Sequence, residues 1–152
     1  MEDDQVVINQ QKLKRFSTFK KDWNGYGADP IDETVIGFVK EIIEKSSYKS
    51  FEIFPLADGG IQLERDFSDN SSVEIRVFLN FIDVNFFEND PDKDKFFKII
   101  LTKHKFLDKI KYWLKFFPCN RFEDKTVFCE NIAESVKIID EWIASYESKI
   151  PC

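Results

Sequence analysis

The sequence has a single histidine and none of the short motifs that usually carry enzyme chemistry. It contains no H-E-x-x-H zinc motif, no G-x-S-x-G nucleophile turn and no glycine-rich phosphate loop followed by Lys and Ser or Thr. His104 lies between Lys103 and Lys105, and Asp108 is the one nearby carboxylate that could orient it as a general base. We interpret His104 as a surface residue and expect a protein that is not an enzyme.

Metal-binding patterns are also missing. The three cysteines are odd in number and show no C-x-x-C spacing, which argues against a disulfide framework and against a zinc site. Asp90, Asp92 and Asp94 alternate as in a calcium loop, but the glycine and the final carboxylate of such a loop are absent. We expect no metal and no cofactor.

No hydrophobic run approaches the ~20 residues that a membrane-spanning helix needs. The N-terminus is acidic where a signal peptide would be basic, so we expect a cytoplasmic protein that does not contact a membrane. With 152 residues, 43% of them hydrophobic and 33% charged, the composition is typical of a single globular domain over residues 1–152.

The net charge of −6 hides a strong segregation along the chain. Residues 52–92 contain ten Asp or Glu and two Arg, whereas residues 93–121 contain nine Lys or Arg and two Asp or Glu. Such an asymmetry concerns binding partners more than the fold. The acidic and the basic segments are therefore both candidate contact surfaces.

Hydrophobic spacing predicts two N-terminal helices. The first contains Leu13, Phe16 and Phe19 and is expected to end near Asp22. The second is expected to begin at Asp29 as N-cap, with Pro30 in the first helical position, and to fray at residues 46–47.

An antiparallel meander of four or five strands is predicted next. Residues 51–54 and 61–64 flank an Asp-Gly turn, and residues 73–79 and 82–86 alternate between apolar and polar side chains. Residues 96–101 are either a fifth strand or the start of a helix, and periodicity does not separate the two.

Two C-terminal helices packed on the sheet complete the predicted α+β fold. The first spans an apolar pattern ending before Pro118. The second has a stripe spaced four, three, four, three, four, made by Ile132, Val136, Ile139, Ile143, Tyr146 and Ile150. This spacing permits a coiled-coil homodimer, but an amphipathic helix packed on its own sheet explains it more simply.

The acidic segment predicts a partner-binding face on the strands. Carboxylates beside exposed aromatic rings suit the basic groove of a protein such as a nucleic-acid-binding enzyme. The candidate residues are Glu74, Phe78, Phe81, Asp83, Phe87, Glu88, Asp90 and Asp92.

The basic segment predicts an alternative, nucleic-acid-binding function. Lysine dominates over arginine there, which suits diffuse contact with phosphates and not the recognition of bases. The candidate residues are Lys103, Lys105, Lys109, Lys111 and Lys115, all in the predicted third helix.

Four of the five glycines lie in two turn signatures, which we expect to shape the fold. In the first, Trp23 and Tyr26 are expected to enter the core while Gly25 and Gly27 turn the chain; a recognition loop is the alternative. The second is the hairpin turn at Asp58, Gly59 and Gly60.

Both signatures resemble those of a widespread set of small bacterial and phage proteins of unassigned function. In that set a Trp-Asp-Gly-Tyr-Gly-Ala loop precedes a helix, and a Pro-x-x-Asp-Gly-Gly-Ile-x-Leu-Glu hairpin follows. The likeness covers about residues 20–80 and departs at Asn24, where the pattern has Asp, and at Arg65, where it often has Trp. The matching residues are Trp23, Gly25, Tyr26, Gly27, Ala28, Pro30, Asp58, Gly59, Gly60, Ile61, Leu63 and Glu64.

The resemblance implies a mobile-element or defence setting and assigns no catalytic residue. Together with the split charge and the excess of phenylalanine, it leads us to expect a non-enzymatic protein that inhibits or neutralises a protein partner by occlusion. An antitoxin, an immunity protein or a phage-encoded inhibitor of a defence nuclease would each fit.

Overall fold

A computed structural model describes residues 2–102 and 124–150 of the chain. Within them lie three α-helices, six strands and one 3-10 turn. The elements in chain order are α1 (Glu2–Phe16), α2 (Glu33–Lys45), β1 (Glu52–Pro55), β2 (Ile61–Asp66), β3 (Ser72–Val77), β4 (Phe81–Phe87), the 3-10 turn (Pro91–Lys93), β5 (Lys95–Leu101), β6 (Asp124–Cys129) and α3 (Ile132–Glu147). The helix predicted before Pro118 lies outside the described residues.

The six strands form one sheet in the order β1-β2-β3-β4-β5-β6. Strands β1 to β5 pair antiparallel in succession, which confirms the predicted meander and the strand alternative for residues 96–101. Strand β6 pairs parallel with β5, so the sheet is mixed and not purely antiparallel. Sequence patterns missed β6 because it is short and its first half is polar. A parallel strand such as β6 is also joined to its neighbour by a crossover connection, so no hairpin turn in the sequence predicts the pairing.

Helix α1 ends at Phe16, six residues before the predicted end. The Ser17 and Thr18 hydroxyls donate to carbonyls of the last helical turn, at 2.5 and 2.6 Å, and thereby help to end the helix. Phe19 and Trp23 nevertheless stack with ring centroids 4.8 Å apart. Phe19 and Trp23 therefore have helix-like spacing because their rings stack on each other, although the residues after Phe16 form turns and not a helix.

Helix α2 is capped by Asp32, not by Asp29 as predicted. The Asp32 carboxylate accepts from the Thr34 N–H at 2.7 Å, in the usual manner of an N-cap. The Asp29 N–H instead donates to the Ala57 carbonyl at 2.8 Å, which ties the segment before the helix to the β1–β2 turn. The predicted C-terminal end is confirmed, with Ser46 as the C-cap.

The core lies between the helices and one face of the sheet. The stripe of α3 is buried in this core from Ile132 to Tyr146, as expected for an amphipathic helix packed on its own sheet. The Asp140 carboxylate further joins α3 to the end of α2, because it accepts from Ser46 Oγ at 2.7 Å and from the Ser47 N–H at 2.9 Å. The stripe is thus occupied within the chain, which removes the structural basis for a homodimer formed through it.

Side chains of α1 hold the outer edge of β1. The buried Asn9 amide donates to the Phe51 carbonyl at 2.6 Å, and Lys12 Nζ donates to the Ile53 carbonyl at 3.3 Å. These bonds satisfy carbonyl groups that an edge strand would otherwise present to another chain.

Candidate protein-binding surface

The face of the sheet opposite the core is the first candidate surface. Side chains alternate along each strand, so that Val73, Ile75 and Val77 enter the core while Glu74 and Arg76 point the other way. The buried hydrophobic residues of the three described helices all belong to the core on the first side. The residues of β1 to β5 that point this way, named here the "open face", include the buried Gln62 and Ile100. They are Glu52, Phe54, Gln62, Glu64, Asp66, Ser72, Glu74, Arg76, Phe81, Asp83, Asn85, Phe87, Phe96, Lys98 and Ile100.

Four of the eight predicted partner-binding residues lie on this face, namely Glu74, Phe81, Asp83 and Phe87. Phe78 lies in the turn between β3 and β4, where its ring stacks on that of Phe81 with centroids 4.7 Å apart. These five side chains thus lie on one side of the sheet, with Phe78 and Phe81 at one end of β4 and Phe87 at the other.

The other three lie beyond the end of β4. Glu88 follows Phe87, so strand alternation turns it to the core side of the sheet. There it is hydrogen-bonded to Tyr146. Burial raises the pKa of Tyr146, and this hydrogen bond also raises it. Asp90 caps the exposed 3-10 turn and accepts from the Asp92 N–H at 3.1 Å. The predicted set thus divides between the open face and a separate loop.

Three carboxylates lie side by side on the open face. Glu52 pairs in register with Glu64, and Glu64 with Glu74, so that adjacent strands place like charges directly opposite one another. This arrangement, named here the carboxylate row, destabilises the sheet. Burial, and after it the charge of Glu64, raise the pKa of Glu74, against the opposing effect of Arg76 at 3.7 Å.

The β4–β5 half of the open face is electrostatically balanced. Lys98 Nζ lies 3.6 Å from the Asp83 carboxylate and 4.7 Å from the centroid of the Phe81 ring. Burial raises the pKa of Asp83, and Lys98 opposes that rise. Asp83 is therefore one half of an ion pair and not an unpaired acid. The excess of negative charge lies over β1 to β3, where Arg76 is the one cation that the open face sets against Glu52, Glu64, Asp66 and Glu74. Phe96, 42% exposed and not among the predicted site residues, adds an aromatic edge.

The first glycine signature is a turn that presents a tyrosine. Trp23 is half-buried, and its indole Nε1 donates to the Asp29 carbonyl at 2.7 Å. Tyr26, in contrast, is 91% exposed, so the expectation that it enters the core is wrong. The small side chain of Ala28 takes the inward position instead.

Local hydrogen bonds fix this loop. The Asn24 side-chain oxygen accepts from the N–H groups of Tyr26 and Ala28 at 2.8 and 3.2 Å. An amide oxygen accepts these bonds as the carboxylate of the resembling pattern would. Gly25 and Gly27 have φ of 77° and 81°, in the left-handed region that favours glycine.

The two glycine signatures contact each other. The Asp32 N–H donates to the Gly59 carbonyl at 3.3 Å, and a Cβ on Gly59 would lie 3.2 Å from the Pro30 carbonyl oxygen. A Cβ on Gly60 would lie 2.7 Å from the Phe78 ring. Between the signatures is an open cleft of about 170 Å³, lined by Asp29, Pro30, Asp32, Val35, Asp58, Gly59, Gly60, Phe78 and Leu79.

The lysines of the alternative nucleic-acid site, Lys103 to Lys115, lie outside the described residues, as does His104. Within residues 2–102 and 124–150, no three His, Cys, Asp or Glu side chains are grouped so as to hold a metal ion. None of the described helices is long and apolar enough to cross a membrane. Comparison with protein-family models, with curated proteins and with solved structures gave no match.

Proposed function

We propose that this chain is a non-enzymatic protein-binding module that neutralises a protein partner by occlusion. An antitoxin, an immunity protein or a phage-encoded inhibitor of a defence nuclease, such as an anti-CRISPR protein, would act in this way. The open face of the sheet is the proposed contact surface, and the carboxylate row is the observation that supports it.

The carboxylate row is unfavourable for the isolated chain. Its members repel across directly paired positions, and the raised pKa of Glu74 shows that burial and a neighbouring charge oppose ionisation there. A cationic groove placed over Glu52, Glu64 and Glu74 would replace this repulsion by attraction. The free energy that the fold loses in keeping the row would then favour association with a basic partner.

Aromatic side chains beside the row supply apolar contact area. Phe54 and Phe96 are 36% and 42% exposed, and Phe81 and Phe87 lie between them on the open face. Interfaces draw most of their binding energy from a few such side chains at the centre, while surrounding charges mainly accelerate encounter. Acidic and aromatic residues together therefore fit a partner whose groove normally holds nucleic acid.

The test is a comparison of two charge-matched variants. Proteins are captured from nuclease-treated lysate of the native host on three tagged chains. These are the wild type, the row variant Glu52→Lys/Glu64→Lys and the control Glu44→Lys/Glu141→Lys. Both variants change the net charge equally, but the control residues are exposed on α2 and α3. The proposal expects one dominant protein that the wild type and the control retain and the row variant loses.

Equal capture by all three chains would contradict the role of the open face. A parallel capture from untreated lysate tests the alternative. Recovery there of nucleic acid, or of many proteins that are absent after nuclease treatment, would favour a nucleic-acid-binding accessory protein that uses residues 103–115. Salt adds a further check, because capture through the row should weaken between low and physiological ionic strength.

A further inference from the structure

We infer that the β4–β5 half of the open face is a docking surface within the chain and holds residues 103–123, which belong to the connection between β5 and β6. These residues are named here the "crossover segment". The inference stands independently of the proposed function and goes beyond it, because it decides which part of the open face is left for a partner.

The outward side chains of β4 and β5 differ in kind from those of β1 to β3. Along β4 and β5, four of the seven are large and apolar, namely Phe81, Phe87, Phe96 and Ile100. Along β1 to β3, Phe54 is the one apolar residue among eight. Strands β4 and β5 thus carry apolar side chains on both faces, which is the pattern of strands that are covered on both faces.

Burial within the β4–β5 half indicates that it is covered. Ile100 is 6% exposed, although none of the three described helices packs on the open face. Burial is also the largest influence on the pKa of Asp83, which it raises. Gln62, the other buried residue of the open face, has a local cause, because it is held by hydrogen bonds between the long side chains of Glu64 and Arg76, at 2.5 and 2.9 Å.

Backbone hydrogen bonds fix the hand of the sheet. The Phe67 N–H donates to the Ser71 carbonyl at 2.8 Å, and this pair continues the register of β2 with β3. Hydrogen-bonded pairs recur at every second residue, so the core-facing Val73, Ile75 and Val77 also direct their N–H and C=O groups towards β2. In a strand of L-residues that points upwards, a residue whose side chain faces the viewer has these groups on its right. Seen from the core with β3 upwards, β2 therefore lies to the right of β3.

This hand assigns the connection between β5 and β6 to the open face. In the same view, β5 also points upwards, and the parallel strand β6 lies to its left. A connection over the core side would be left-handed, whereas a connection over the open face is right-handed. Connections between parallel strands of one sheet are right-handed in about 98% of cases.

The core side of β4 and β5 is already occupied by α3. The ring of Phe97 on β5 stacks on that of Trp142 with centroids 4.7 Å apart. The ring of Phe86 on β4 stacks on that of Tyr146 with centroids 4.8 Å apart. Packing and handedness therefore lead independently to the same side of the sheet.

The composition of the crossover segment suits the surface proposed for it. Residues 103–123 contain nine aromatic or large aliphatic residues, and six Lys or Arg against two Asp or Glu. Its apolar residues can cover the apolar side chains of the β4–β5 half. Its positive charge then lies on the same side of the sheet as the carboxylate row, which is a favourable arrangement.

The open face is thereby divided between two uses. The β4–β5 half is used within the chain, so the contact with a protein partner centres on the carboxylate row and Phe54. The lysines of the alternative nucleic-acid site, Lys103 to Lys115, belong to the crossover segment. A phosphate backbone approaching them would also meet the carboxylate row, which would repel it.

The direct test asks which side of the sheet the crossover segment lies on. A nitroxide spin label is attached to the ¹⁵N-labelled full chain at Glu74→Cys, on the open face of β3, or at Glu141→Cys, exposed on α3. Both variants carry Cys119→Ser and Cys152→Ser, whereas the buried Cys129 is kept.

The indole N–H signal of Trp113 reports the position of the crossover segment and is assigned by its loss in Trp113→Phe. We expect strong paramagnetic broadening of this signal from the label on Glu74→Cys and little from the label on Glu141→Cys. The reverse pattern, or little broadening from either label, would overturn the inference. Broadening that requires a second, spin-labelled copy mixed with the ¹⁵N-labelled chain would assign the surface to a dimer and would equally overturn it.

Two matched variants test which half of the open face is used. Phe96 and Phe54 are exposed aromatic residues of the open face, 42% and 36% exposed, one in each half. Phe96→Glu should shift the indole signal of Trp113 and reduce its broadening by the label on Glu74→Cys, whereas Phe54→Glu should leave both unchanged. An equal response to the two substitutions would contradict docking on the β4–β5 half. These measurements use the chain without any partner, so their outcome is separate from that of the capture experiment.

Discussion

Replacing Glu52 by lysine is expected to stabilise the fold while weakening the binding of a basic partner. Glu52 is exposed on the edge strand β1 and lies directly opposite Glu64 on β2. Glu52→Lys therefore turns one repulsive cross-strand pair into an attractive one without touching the core. Most substitutions at a binding surface would leave stability unchanged or lower it, so the opposite signs of the two effects are diagnostic.

The expected gain in stability is small but measurable. An opposite-charge pair across strands contributes about 0.2–1 kcal/mol, and like charges cost a similar amount. The change from one to the other should raise the free energy of unfolding by about 0.5–1 kcal/mol at low salt. In a chain of this length that corresponds to a Tm increase of about 1–4 °C.

Thermal and urea unfolding of wild type, Glu52→Lys and Glu141→Lys at pH 7 provide the assay. Glu141 is exposed on α3, so Glu141→Lys makes the same change of charge far from the row. The gain in Glu52→Lys should shrink in 1 M NaCl, where the Debye length falls to ~3 Å. If Glu52→Lys is no more stable than the control, or if salt leaves its gain unchanged, the repulsive row is not the cause.

Three further predictions test other parts of the structure. Gly60→Ala places a Cβ against the Phe78 ring and should destabilise the fold by about 1–3 kcal/mol in urea unfolding, since the ring and backbone must shift; a loss below the error of the measurement would contradict the close approach. Asp32→Ala removes the N-cap of α2 and should lower the free energy of unfolding by about 1 kcal/mol. Asp29→Ala should lower it less, because the exposed ion pair of Asp29 contributes little. An equal loss in the two variants would contradict the assignment of Asp32 as the N-cap. Burial, with a neighbouring carboxylate, raises the pKa of Glu74 in the folded chain, so ionisation there lowers stability as pH rises above the ordinary glutamate pKa of about 4.3. Glu74→Gln should therefore gain stability relative to wild type between about pH 4 and pH 7, and a pH-independent difference would refute this origin.

Local patterns determined much of this fold. Alternation of apolar and polar residues located β3 and β4, and the Asp-Gly turn, whose geometry requires glycine, located β1 and β2 on either side of it. The stripe of α3 was correctly assigned to packing within the chain. These features depend on periodicity and turn chemistry, which are properties of neighbouring residues.

Errors arose where one element depends on another distant in sequence. The N-cap of α2 lies at Asp32 because the N–H of Asp29 bonds to the hairpin 28 residues further on, and no local rule contains that contact. The exposure of Tyr26 likewise depends on Ala28 taking the inward position, although both residues belong to one recognised signature.

The candidate site shows the same division between sequence and tertiary structure. The sequence alone shows that residues 52–92 are acidic and rich in aromatic side chains, because composition can be counted without knowledge of the fold. Only strand register places Glu52, Glu64 and Glu74 in one row, pairs Asp83 with Lys98 and separates Glu88 from the open face. The charge of a side chain is fixed by its residue type. Its neighbours are fixed by the tertiary structure, and they decide how the charge affects folding stability and whether it can contribute to binding.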